Sequence, residues 1–96
     1  MKANYDSEAD ALSIDLIDVE RWEYCDAAGD RINVAIADGR PVNVELLYPN
    51  LGIAEPLKLA ADRFGLDAEA LIATAQAALA APDRPVELDI GVRPAA

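Results

Sequence analysis

Apolar residues recur at every second position through the first half of the chain and at helical spacing after it. Residues 11 to 17, ALSIDLI, put Leu12, Ile14 and Leu16 on one side and Ser13 and Asp15 on the other. A period of two marks a half-buried strand. MKANY ahead of it predicts a short edge strand. RWEYC, residues 21 to 25, repeats the alternation, with Trp22 and Tyr24 opposite Glu23. DAAGD then breaks it, because Asp and Gly favour turns. RINVAIADGRPVNVELL sets Ile32, Val34 and Ile36 against Val42, Val44 and Leu46 around Asp38-Gly39. Asp-Gly between alternating runs predicts a hairpin, since its tight turn needs positive φ. Pro41 has no amide hydrogen, so it belongs near a strand start where no ladder bond is required.

YPNLGIAEP interrupts the strands, and the period changes after it. Leu57, Ala60, Ala61 and Phe64 fall on one helical face, with Pro56 suited to a first turn. Gly65 fits a left-handed C-cap, with Leu66 folding back on the helix end. Asp67 is placed to N-cap a second helix, AEALIATAQAALAA, whose Glu69 complements the helix dipole. Leu71, Ile72, Ala75, Ala78 and Leu79 share one face of it, and Pro82 marks its end. Ala70, Ala73, Ala77 and Ala80 lie elsewhere on that helix, either as good helix formers or as a close-contact stripe. VELDIGV, residues 86 to 92, alternates again and predicts a late strand, followed by a loose tail.

This order predicts an α+β fold: an antiparallel sheet of about four to five strands, a C-terminal helical hairpin packed on one face, and a final strand. That strand would extend the same sheet or pair with a second molecule. Residues 1–96 form a single domain in this reading, a β-rich half over 1–48 and a helix pair plus last strand over 49–96.

Composition narrows the function. The chain has 96 residues, 53% of them hydrophobic, too many for a disordered segment. No apolar run approaches the ~20 residues of a membrane span. The N-terminus has no apolar core of a signal peptide. The single cysteine, Cys25, leaves no internal disulfide, and a reducing cytoplasm is expected. The formal net charge is −10, from 18 acids against 8 scattered bases. A nucleic-acid surface needs clustered Lys and Arg, so none is expected. The same charge suits a basic protein partner, or simply keeps an apolar domain soluble.

Chemistry is sparse. Histidine is absent, which removes the commonest general base and zinc ligand. Cys25 has acids beside it, Glu23 and Asp26, unlike a reactive thiol. No Gly-rich phosphate loop or nucleophile elbow occurs, and no cofactor is expected. Asp6, Glu8 and Asp10 match the first, third and fifth ligands of a calcium loop, but Ala11 and Ile17 stand where its Gly and bidentate Glu belong. The acids remain candidates for a carboxylate- or metal-dependent hydrolase, with Glu45 as a further member. The plainer expectation is a bend in which Asp6 caps backbone amides as an Asx-turn. The helix pair has the outline of a helix-turn-helix, yet its second helix carries no Lys or Arg.

The N-terminal half resembles the YuzE-like family of small bacterial domains of unknown function. The resemblance lies in YDSEADALSIDL, with Tyr5, Asp6, Glu8, Asp10, Ala11 and Leu12, and in INVAIADGRPVNVELL, with Glu45, Leu46 and Leu47. Ser13 stands where the family usually has an aromatic residue, and Asn43 where it usually has Gly. The resemblance implies a small sheet-based fold and brings no catalytic residue with it.

The expectation is therefore a non-enzymatic binding and assembly module, a homodimer that masks a basic protein partner. Trp22, Tyr24 and the sheet edge would form its contact surface, since aromatics are favoured anchors. The alternatives are the hydrolase on Asp6, Glu8 and Asp10, and a purely structural domain.

Overall fold

The computed structural model describes residues 1–89. Five strands come first: β1 (Lys2–Asp6), β2 (Ala11–Asp15), β3 (Tyr24–Gly29), β4 (Ile32–Ala37) and β5 (Arg40–Leu47). A 3-10 turn at Pro49–Leu51 leads to α1 (Ala54–Phe64) and α2 (Ala68–Ala80), and β6 (Pro85–Glu87) closes the order. The fold is α+β, with six antiparallel strands ordered β3-β4-β5-β2-β1-β6.

Strand alternation does the sorting. Ala3, Leu12, Ile14, Val34, Val44 and Leu46 point to one face and are buried beneath the helices with Leu57, Ala60, Ala61, Leu71, Ala75 and Ala78. The register puts Lys2, Asn4, Ser13, Asp15, Asn33, Asn43 and Glu45 on the other face. Asn43 is buried there, and its Nδ2 donates to Ser13 Oγ and to Asp15 Oδ1, each at 2.8 Å. Those bonds matter because an unsatisfied buried amide costs about 1–3 kcal/mol.

The turns follow residue chemistry. Asp38 (φ 57) and Gly39 (φ 72) form the left-handed hairpin turn expected of Asp-Gly. Pro41 lies opposite Ile36, where the β4–β5 register shifts, so its missing amide falls at an irregularity. Gly65 (φ 68) ends α1, and the Leu66 amide returns to the Ala61 carbonyl at 2.9 Å. Asp67 accepts from the Ala70 amide at 3.1 Å, an N-cap of the kind that contributes about 1 kcal/mol.

Several expectations are corrected. MKANY is not an edge strand, because β6 pairs along its outer side. The sheet has six strands among the described residues, five before the helices and the final one after them, as expected. RWEYC does not form a strand as a unit. The third strand begins at Tyr24 and runs through the Asp26–Gly29 segment read as a break. Gly29 has no left-handed φ there; a Cβ on it would meet Ile32 Cγ2 at 3.3 Å and Leu59 Cδ1 at 3.6 Å. It serves close packing inside a strand, a role that composition does not separate from a turn. In α2 the buried set is Ala70, Leu71, Thr74, Ala75 and Ala78, while Ile72 and Leu79 are half-buried. Thr74 enters the core because its hydroxyl donates to the Ala70 carbonyl at 2.7 Å. The late strand pairs with β1 of its own chain, and the Leu88 amide extends the pairing to the Met1 carbonyl at 2.8 Å. The part of VELDIGV from residue 90 onward lies outside the described residues, as does the tail.

Leu71→Ala removes a fully buried side chain and is expected to destabilise the fold by about 2–5 kcal/mol in urea unfolding. Leu51→Ala, at an exposed position, is the control and should stay within about 0.5 kcal/mol of the parent.

Candidate functional site

The acidic bend between β1 and β2 is held by its own carboxylates. Asp6 Oδ1 accepts from the amides of Glu8 at 3.0 Å and Ala9 at 3.2 Å, the Asx-turn expected of it. Asp10 takes the left-handed conformation (φ 53), and its Oδ1 accepts from the Tyr5 hydroxyl at 2.7 Å. That bond to Asp10 leads the causes that raise the Tyr5 pKa, since loss of the phenol proton would set two anions together. A second tie comes from the far end of the chain. Asp83 accepts from the Ser7 hydroxyl at 2.6 Å and the Ser7 amide at 2.8 Å, while its own amide donates to the Tyr5 carbonyl at 2.8 Å. The Ser7 hydroxyl, then the Ser7 amide, hold the Asp83 carboxyl below its ordinary pKa. The bend is thus locked to the connection that delivers β6.

The three acids do not converge. Asp6 lines an open depression of about 590 Å³ with Asn4, Ala9, Ala11, Ser13, Glu45 and Asp83. Glu8 and Asp10 are not among the residues that line it. Among the described residues no three His, Cys, Asp or Glu side chains are grouped so that they could hold a metal ion.

The second candidate is the connection from β2 to β3. Backbone bonds hold it at both ends: the Leu16 amide donates to the Val42 carbonyl at 2.9 Å and the Glu23 amide to the Ile36 carbonyl at 2.8 Å. Glu23 also accepts from the Asp38 amide with its carboxylate, fastening the segment to the β4–β5 turn. Trp22 is 47% exposed and Tyr24 58%, and Ile17 and Val19 are also exposed. Asp15, Asp18, Glu20, Glu23 and Asp26 interleave these apolar residues, with Arg21 the sole base between them. The result is a strip of chain whose exposed apolar residues alternate with acids. Cys25, exposed on β3, is next in the chain.

A third feature was not legible in the sequence. A groove of about 490 Å³ opens between the β3–β4 turn and the start of α1, lined by Gly29, Ile32, Leu51, Ile53, Pro56 and Leu59 among others. Arg31 builds one wall. Its guanidinium donates to the carbonyls of Leu47 (3.1 Å), Tyr48 (2.6 Å) and Gly52 (2.9 Å), which holds the 3-10 turn in place. Leu59 lies off the Leu57–Ala60–Ala61 face, the one sequence signal that it points elsewhere.

No family model, curated protein or solved structure matches the chain. No helix among the described residues is long and apolar enough to cross a membrane.

Ser7→Ala should raise the Asp83 pKa toward the usual aspartate value, read by carbon-detected NMR titration. The sign follows from the depression. The clamp stabilises the fold above the ordinary carboxylate pKa, and this contribution is lost as pH falls through the depressed folded value. An unchanged Asp83 titration in the variant would remove this account.

Proposed function

We propose that this protein is a non-enzymatic binding module that masks a basic protein partner through the strip from Ile17 to Tyr24. The observation that carries the reading is the exposed Trp22–Tyr24 pair within an acidic surround. Aromatic side chains bring large contact area at low entropy cost, and exposed apolar patches rimmed by polar residues mark interaction sites. The −10 charge supports a basic partner by steering its approach and by penalising acidic competitors. The YuzE-like resemblance of the β-rich half belongs to the same reading and adds kinship of fold, with no chemistry. A reducing cytoplasm is the compartment proposed, where an exposed lone thiol such as Cys25 stays reduced.

A homodimer is the resting form in this proposal, with the strip of one copy set against that of another until the partner arrives. The two associations respond to salt in opposite ways. Like charges oppose the dimer, so salt strengthens it, whereas salt weakens a complex of acid with base. The hydrolase reading gains nothing from the bend, because Asp6 and Asp10 are engaged in holding the turn.

Trp22 is the only tryptophan, so its emission reports on the strip. Titration with a peptide of alternating Lys and Leu should shift that emission to shorter wavelength, with affinity falling as salt rises. Tyr24→Ala should weaken binding about tenfold, the equivalent of about 1.4 kcal/mol. Silent emission, together with a strict monomer by solution mass at every salt concentration, would overturn the proposal.

A further inference from the structure

We infer that the groove between the β3–β4 turn and α1 is a second docking site, one that takes an apolar side chain flanked by a lysine or arginine of a basic peptide. The inference rests on the binding-module reading and adds a contact at the other end of β3. Its volume of about 490 Å³ lies within the roughly 300–1,000 Å³ of ordinary ligand clefts. Leu51 is 73% exposed and Leu59 49%, and they stand in the lining with Ile32, Ile53 and Pro56. Gly29 lets this wall form, because without a Cβ the strand backbone can lie close to Ile32 and Leu59.

Charge decides the occupant. Asp30 and Glu55 line the groove, and the one cation among its described lining residues, Arg31, is committed to three backbone carbonyls. The carboxylates are left to meet a positive group, on a domain whose net charge already favours one. An acidic peptide would face repulsion from both. A second copy of this chain offers no cluster of Lys or Arg to set against them. Strand addition at the neighbouring edge is obstructed, since Arg63 occupies the Ala27 carbonyl of β3 at 2.7 Å. The peptide therefore engages the groove by side chains, its apolar residue between Leu51 and Leu59 and its cation toward Asp30 and Glu55.

The test uses the whole chain and two peptides of equal length, one alternating Lys and Leu, the other Glu and Leu. Amide NMR signals of Gly29, Gly52 and Ile53 report on the groove, while Trp22 emission reports on the strip. The Lys-Leu peptide should move the groove amides and the Glu-Leu peptide should not. Leu51→Ser with Leu59→Ser, and separately Asp30→Asn with Glu55→Gln, should each lower the affinity read at these amides about tenfold. All four positions are exposed, and an unchanged thermal midpoint will show that the variants fold. Equal response to both peptides overturns the inference. A response confined to Trp22 also overturns it and leaves the strip reading standing. Silence of both reporters overturns both.

Discussion

The pairing of β2 with β5 is the contact on which the rest of the structure depends. It joins the β1–β2 hairpin to the β3–β4–β5 meander, elements that are otherwise local. Leu12 faces Leu46 and Ile14 faces Val44 across it, and all four are buried under the helices. On the reverse face Ser13 and Asp15 meet Asn43 in a closed set of hydrogen bonds. A slip of one residue would turn Ser13 and Asp15 into the core and Leu12 and Ile14 out to water. Both faces of the ladder therefore specify one register, by burial on one side and by hydrogen bonding on the other.

That ladder also brings Ser13 and Asn43 together. Ser13 and Asn43 are bonded to each other at 2.8 Å. Their side chains meet on the face the helices leave open. A change at one position alters the space and the hydrogen bonding offered to the other, so the two residues are a single structural matter.

The acids divide by what their oxygens touch. Asp6, Asp10, Asp67 and Asp83 are bound to amides and hydroxyls and act as structure. Asp30 and Glu55 line a groove, while Asp18 and Glu20 flank exposed apolar residues. Composition registers all of them alike as negative charge. The fold separates acids that hold turns from acids left facing solvent.

Much of the architecture was legible in the chain because period and turn chemistry are local. Alternation over ALSIDLI and around Asp38-Gly39 specified strands, and Gly65 with Asp67 specified where one helix stops and the next begins. The acidic bend could also be read, since an Asx-turn needs only neighbouring amides. The limits were equally physical. Gly29 looks like a turn residue in sequence but is a packing residue in a strand, because what decides is the nearness of Ile32 and Leu59. The interior position of MKANY, the Asp83–Ser7 clamp and the groove bounded by Leu51 and Leu59 all depend on residues distant in the chain. Local pattern determined which segments are strands and helices and which faces are apolar. Tertiary contact alone decided strand order, which acids are engaged, and which apolar side chains remain exposed, because each is set by neighbours that only the folded chain supplies.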